Sequence, residues 1–148
     1  IMHDVGKIAI PDAILNKPGR LTADEFEIMK THTVQGGLLL EKIPQMKEHA
    51  IFEYAYDIAR HHHERWDGRG YPDGLKGEEN SIWAQIVSIA DVYDALISKR
   101  VYKPAFAVEE ALNMIAGGQC GTFNPALLDR FMSVEPKIRL LYEKGRKV

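Results

Sequence analysis

Histidines and aspartates stand in this sequence where helices would ordinarily be apolar. His3 and Asp4 are adjacent, and His32 falls inside a helical pattern beside Gly36 and Gly37. His62 and His63 close another such pattern, and Asp91 lies within the apolar run from Gln85 to Ile97. A carboxylate inside Ile89-Ala90-Asp91-Val92 must be paired or bound to a cation, because desolvating an isolated charge is too costly. Neutral imidazoles combined with carboxylates suit iron, manganese, zinc or nickel, whereas calcium and magnesium prefer all-oxygen shells. One such residue alone is more often a satisfied core or surface group. Several together at buried helical positions point to a metal site.

The elements that carry these residues read as helices. Ile1 to Lys7 has the pattern of a helix's last turns, stopped at Gly6, and position 1 is not Met, so a further helix is expected upstream. Ile10-Pro11-Asp12 and Asn16-Lys17-Pro18-Gly19 predict turns around a short apolar piece. Thr22 and Glu25 form a capping box, and Phe26, Met29 and Val34 follow at helical spacing, predicting one helix to about Glu41. Gly36 and Gly37 inside it each cost about 1 kcal/mol against Ala and signal close approach of a neighbouring helix. Pro44 opens the next helix, whose stripe of Ile51, Tyr54, Ala55 and Ile58 runs into His61-His62-His63. From Glu64 to Asn80, Gly68, Gly70, Gly74, Gly77 and Pro72 support neither helix nor central strand. Trp66, Tyr71 and Leu75 predict that this long loop is packed, and loops of such length are usually functional or disordered.

Asn80 or Ser81 caps a helix expected to reach about Arg100. Its stripe of Ile82, Ile86, Ile89, Tyr93 and Leu96, with Trp83, Val87, Ala90 and Ile97 on other faces, predicts a central, buried helix. Pro104 breaks it. Another helix is expected over Val108 to Ala116, and Asn124-Pro125 start a last core helix through about Met132. Basic residues predominate from Lys137, so the reading is a domain over residues 1–134 followed by a basic tail over 135–148. No segment alternates like a strand, and the predicted class is all-α.

Composition bounds the function. The chain of 148 residues has the length of one domain. Its 21 acidic and 19 basic residues give a net charge of −2, which lacks the basic footprint of a DNA or RNA binder. The balance of apolar and charged residues is that of a soluble globular protein. The single cysteine, Cys120, excludes an intrachain disulfide and fits a reducing compartment. No apolar run approaches the roughly 18 residues of a membrane span and no secretory signal opens the sequence, so no membrane insertion and a cytoplasmic location are expected.

His3-Asp4 with Gly6-Lys7, His62-His63-Glu64, Asp67-Gly68, Gly70-Tyr71-Pro72 and Ala90-Asp91-Val92-Tyr93-Asp94-Ala95-Leu96 together resemble the HD-GYP domain. That domain is a subgroup of the HD metal-dependent phosphohydrolases, known as phosphodiesterases of the bacterial second messenger cyclic di-GMP. The resemblance runs from residue 1 to about Met132. It implies an HD-domain helical bundle with a long glycine-rich GYP loop, the family's first helix or helices being absent from this sequence. It implies metal ligands at His3, Asp4, His32, His62, His63 and Asp91, with Asp4 bridging two ions. Two or three divalent transition-metal ions follow, iron or manganese first and zinc or nickel also compatible; the upstream helix holds the ligands that decide the number. Ions about 3.5–4 Å apart can hold a hydroxide, lower its pKa and stabilise in-line displacement at phosphorus. The implied reaction is hydrolysis of the 3′–5′ phosphodiester of cyclic di-GMP to pGpG, with a further cut to GMP left open.

The resemblance gives catalytic roles to Asp4, Lys7 and Asp91, and substrate contacts to Lys7, Gly70, Tyr71, Arg100 and Lys103. Helical continuation would put Lys7 on the ligand face, where it neutralises a phosphate oxygen; the alternative is a solvated lysine favoured by the helix dipole. Arg100 and Lys103 fall in a Lys-Arg-x-Tyr-Lys segment, and Arg100 stands nine residues beyond Asp91, about 13–14 Å along a helix. Lys99 and Arg100 could equally complement the helix C-terminus, and Tyr71 could simply anchor its loop. Glu64 and Asp94 either orient ligand histidines or cap backbone. His61 is assigned to support or surface, His49 to a solvated face, and Cys120, Trp83 and Phe106 to packing. Asn124 replaces the aspartate expected of the family and caps as well. The implied partners are a cyclic dinucleotide and a fused receiver or sensory domain, and a homodimer stays open. Two competing readings are a non-catalytic HD-type signalling or interaction module and an HD phosphohydrolase acting on another nucleotide. The filled downstream ligand positions favour the enzyme, and Gly70-Tyr71-Pro72 disfavours the other nucleotide.

Overall fold

A computed structural model describes residues 2–98 and 105–145. Among these the regular elements are helices: a 3-10 turn at Val5–Ala9, α1 (Asp12–Leu15), α2 (Ala23–Lys30), α3 (His32–Glu41), α4 (Pro44–Lys47), α5 (Phe52–His61), a 3-10 turn at Gly77–Glu79, α6 (Ile82–Ile97), α7 (Val108–Ala116) and α8 (Pro125–Gly145). The all-α expectation holds. So do the caps that start the helices. The Glu25 N–H donates to Thr22 Oγ1 at 3.3 Å while the Thr22 N–H donates to Glu25 Oε2 at 2.7 Å. Ser81 Oγ accepts from the Ala84 N–H at the head of α6, and Asn124 Oδ1 from the Ala126 N–H at the head of α8.

Several boundaries differ from the sequence reading, each for a local reason. The single helix expected from Thr22 to Glu41 is two, because Thr31 folds back on Ile28: its hydroxyl and its N–H both donate to that carbonyl, at 2.7 and 3.1 Å. The opening segment is a 3-10 turn rather than the end of an α-helix. Pro44 opens only a single short helix, and α5 begins at Phe52. The last helix does not stop near Met132 but continues unbroken to Gly145. Ile138 and Tyr142 pack against the main core, and buried Glu135 accepts hydrogen bonds from the Tyr93 hydroxyl at 2.5 Å and Arg139 Nε at 3.0 Å. Those contacts carry the helix through Pro136.

Two apolar clusters build the interior. The larger joins Ile89, Tyr93, Leu96 and Ile97 of α6 to Ala111 and Ile115 of α7 and to Phe123. The smaller consists of Leu40, Ala55 and Ala59, where α3 meets α5. Helix α6 packs against α5, α7 and α8, yet it is not buried all round. Ile82, Trp83 and Ile86 are exposed, and Trp83, expected in the core, is 47% accessible. On that face the Tyr54 and Trp83 rings meet edge-on at 5.2 Å. Phe106 and Cys120 do pack against the main cluster. The glycine pair of α3 does mark a close approach: Gly36 abuts the Ala59 Cβ and Gly37 the Tyr56 ring. Gly6 is a second such point, since a Cβ there would overlap the His32 carbonyl and the Gly36 backbone. The first 3-10 turn therefore touches α3 backbone to backbone, which brings His3 and Asp4 beside His32.

Candidate metal centre

The last turn of α5 and the first of α3 present two imidazoles to each other with their protons already committed. His62 Nδ1 donates to the Ile58 carbonyl at 2.9 Å and His32 Nδ1 to the Met29 carbonyl at 2.8 Å. A neutral imidazole has one N–H, so both Nε2 atoms carry lone pairs. They face each other at 3.4 Å, in rings that are 0–1% exposed. Two lone pairs in that position repel unless a cation lies between them. Nitrogens each about 2.1 Å from one ion at a tetrahedral angle stand roughly 3.4 Å apart, so the pair has the spacing of two ligands of a shared ion.

Carboxylates complete the surroundings. Asp4 Oδ1 is 3.5 Å from His32 Nε2, and Asp4 Oδ2 is 3.5 Å from His3 Nε2. His3 Nε2 in turn lies 3.7 Å from Asp91 Oδ1, so carboxylates from the chain's start and from α6 converge on one nitrogen. Ligand atoms of His32, His62 and His63 lie within 4.8 Å of one another, and so do those of His3, Asp4 and His62. His62 belongs to both groups. All the donor positions singled out in the sequence, His3, Asp4, His32, His62, His63 and Asp91, are thus brought together. Every donor is nitrogen or carboxylate oxygen, the set that suits a divalent transition metal.

The local electrostatics prepare these groups to bind a cation. Burial pushes the His62 imidazole down to about 4 and His63 to about 2, with neighbouring histidines adding to both shifts. Burial also lowers His32. These rings are therefore neutral near pH 7, the form that ligates metal. At Asp4 burial acts to raise the carboxyl, but hydrogen bonds and charge from His3 and Lys7 outweigh it and hold the group well below the usual carboxylate range. Lys7 Nζ donates to Asp4 Oδ2 at 2.7 Å.

The glycine-rich loop closes over the site. The Tyr71 ring stacks on His63 at 4.8 Å and 26°, and burial raises its phenol, which stays protonated near neutrality. Gly70 lies directly against the Glu64 and Arg65 backbone, where a Cβ has no room. Glu64 resolves toward capping: its buried carboxylate accepts the N–H groups of Asp73, Gly74 and Leu75, at 2.7, 3.0 and 3.1 Å. Asp94 accepts from Ser98 Oγ and from the Tyr142 hydroxyl, not from a histidine. His61 points away from its neighbours. Its ring is held between Asp57 Oδ1 at 2.6 Å and Asp73 Oδ2 at 2.9 Å, and Arg60 grips the same Asp73 through two hydrogen bonds. His49 is exposed. Arg100 and Lys103 lie outside the described residues.

Two groups beside the site escaped the sequence reading. Arg65 donates to the Glu64 carbonyl, Ser88 Oγ and the Cys120 carbonyl and lies 5.3 Å over the Phe123 ring, tying the end of α5 to α6 and to the turn before α8. Lys30 stands over the rings of Phe26 and Tyr71. Nothing local signals Arg65, whose partners Ser88, Cys120 and Phe123 arrive through tertiary folding. Lys30 has Phe26 and Glu27 at helical spacing, but Tyr71 reaches it only when the loop folds back.

Comparison with known proteins accords with this geometry. A family model described as HD domain matches residues 1–127. A protein of Vibrio cholerae named probable cyclic di-GMP phosphodiesterase is 47% identical over 136 residues, covering 90% of this chain and 31% of the relative. A cyclic di-GMP phosphodiesterase of Thermotoga maritima is 43% identical over 145 residues, or 98% of this chain and 38% of the relative. A 3′3′-cGAMP-specific phosphodiesterase of Vibrio cholerae is 41% identical over 128 residues, or 86% and 24%. The chain thus spans between 24% and 38% of the length of these relatives. An HD domain implies a divalent-metal site, and the histidine and aspartate cluster is where this chain gathers the donors for one. With its match extending over most of the sequence, the chain belongs to the HD domain family.

Proposed function

We propose that this chain is the hydrolytic part of a metal-dependent phosphodiesterase that opens the 3′–5′ phosphodiester of cyclic di-GMP to pGpG. The observation that carries the reading is the facing pair of unprotonated Nε2 atoms of His32 and His62, flanked by Asp4. The names of the relatives supply the substrate class. Iron or manganese, in two or three positions, is the proposed occupant, with zinc and nickel compatible. His3, Asp4, His32, His62, His63 and Asp91 are the proposed ligands; His62 belongs to both donor groups, and Asp4 approaches His32 with one oxygen and His3 with the other. Bound there, the metal supplies activation of water and charge stabilisation for in-line displacement at phosphorus.

The chain's own residues do the rest. A cleft of about 420 Å³ opens beside the donors, lined by Lys7, His63 and Asp91 on its polar side and Val92, Ala95 and Leu96 on its apolar side. Lys7 is poised at the mouth to exchange its contact with Asp4 for a phosphate oxygen. The protonated Tyr71 phenol offers a hydrogen bond to the substrate, and Gly70 lets the loop backbone lie close. Arg100 and Lys103 are proposed to contact the second half of the dinucleotide. A receiver or sensory domain elsewhere in the longer protein, acting in the cytoplasm, completes the proposal.

Anaerobic loading with ferrous iron or manganese followed by chromatography of products from cyclic di-GMP tests it. The expected result is pGpG formation that chelation abolishes. Metal uptake without cleavage of cyclic di-GMP would favour the non-catalytic module, and cleavage confined to 3′3′-cGAMP would move the substrate within the same class.

A further inference from the structure

We propose that Lys30, whose ammonium stands over the rings of Phe26 and Tyr71, is a cationic contact, additional to those proposed for Arg100 and Lys103, for the phosphate of the half of the dinucleotide that is not cut. This rests on the substrate class proposed above and extends it to a site on α2.

A cyclic dinucleotide carries two phosphates, so a site that aligns one for attack leaves a second negative charge to be met nearby. The stacked rings of His63 and Tyr71 form a wall beside the donor cluster. The cleft with Lys7 and Asp91 also contains His63, and Tyr71 borders a separate cavity of about 200 Å³ that also contains Lys30 and Glu27, with Thr31, Val34 and Pro72. Lys30 supplies the positive charge of that second cavity. Its Nζ lies 5.6 Å from the Tyr71 ring centroid and 5.7 Å from that of Phe26, and those rings meet edge to face at 6.4 Å. Phe26 is 47% exposed, so burial in the core does not account for it. It forms instead one flat wall of a cradle open to solvent, suited to the face or edge of a base.

The backbone ties this cradle to the donors. The Met29 carbonyl accepts from His32 Nδ1, and the next carbonyl, that of Lys30, accepts from Thr33 Oγ1. One turn thus fixes both the lysine and a histidine whose Nε2 faces the cluster. The competing use of Lys30 is its ion pair with Glu27 Oε2 at 2.7 Å. Glu27 is 67% exposed, so that pair is weak and readily exchanged for a phosphate.

The test compares Lys30→Met and Lys30→Arg in the metal-loaded chain, with cyclic di-GMP and with bis(p-nitrophenyl) phosphate, a diester with a single phosphate and no nucleotide. Two quantities are read: KM for cyclic di-GMP, and its inhibition constant against hydrolysis of the small ester, which needs no turnover of the dinucleotide. Lys30→Met is expected to raise both about tenfold, with a loss on cyclic di-GMP about tenfold greater than on the small ester. Lys30→Arg, which keeps the charge, is expected to stay within about threefold of the parent. Equal inhibition constants for the parent and Lys30→Met would overturn the assignment while leaving the hydrolase reading intact. A parent chain that hydrolyses the ester but is not inhibited by cyclic di-GMP would overturn both.

Discussion

Two halves of this molecule bury different things. Around α3 and the end of α5 the buried polar set is His32, Thr33, His62 and Glu64, beside a small apolar cluster of Leu40, Ala55 and Ala59. Around α6, α7 and α8 the buried set is mainly apolar, Ile89, Tyr93, Leu96, Ile97, Ala111, Ile115 and Phe123, with Gln85, Ser88 and Glu135 as buried polar groups. The second half gains its stability from apolar area removed from water. The first withdraws polar groups from water and must satisfy each one individually: imidazole N–H groups on helix carbonyls, Glu64 on three loop amides. What it leaves unsatisfied is the pair of facing Nε2 atoms. A region that holds its polar groups this firmly and leaves one repulsive contact in the middle is arranged around a cation that the other half does not need.

Substitutions in the two halves should therefore fail differently. The largest contrast pairs His62→Ala with Ile115→Ala. The first is expected to lose metal and to lower the proposed cyclic di-GMP hydrolysis at least about a thousandfold, several kcal/mol of barrier. The second opens a cavity under a residue that is 1% exposed and is expected to cost about 3 kcal/mol of stability with metal content per folded molecule retained. Metal analysis alongside denaturant unfolding separates the two. If Ile115→Ala strips the metal from folded protein, the halves are not independent.

A smaller effect is expected at Glu64, where the first half meets the loop. Glu64→Gln removes a charged acceptor from three amides and should cost about 2 kcal/mol. The loss should appear as faster hydrogen exchange at Asp73, Gly74 and Leu75, with α7 and α8 unchanged. Uniform acceleration across the chain would mean that Glu64 supports the whole fold. The smallest effect belongs to the packed half. Tyr93→Phe leaves Glu135 still bound by Arg139 through Nε and Nη2, so a loss of about 1 kcal/mol and no change in metal content are expected from thermal unfolding and metal analysis.

The same contrast governs what the sequence revealed. Donor residues were legible because imidazole and carboxylate groups at apolar phases of a helix are costly to bury unless they bind something. The starts of α2, α6 and α8 were legible because caps are local chemistry. The break at Thr31 was not, since helical spacing continues across it and only a side-chain hydrogen bond interrupts the chain there. The exposed face of α6 was misread because an apolar run states what a helix can bury, not whether a partner covers Ile82, Trp83 and Ile86. The sequence left the tasks of Glu64 and His61 as alternatives for the opposite reason: the partners that decide between them, the amides of residues 73–75 and the Asp73 carboxylate, arrive only when the loop folds back. The continuation of α8 through Pro136 was likewise set by Tyr93 and the core, which local propensity does not register.

The central claim is the location of the metal, and adjacent histidines offer two rival places for it. His62 faces His32 across unprotonated nitrogens, while His61, one residue earlier, is hydrogen-bonded between the carboxylates of Asp57 and Asp73. Anomalous diffraction from crystals loaded anaerobically with manganese or iron decides between them. The account predicts density within about 2.0–2.5 Å of His32 Nε2, His62 Nε2 and an Asp4 oxygen. Density beside His61, Asp57 and Asp73 with none between His32 and His62 would contradict it.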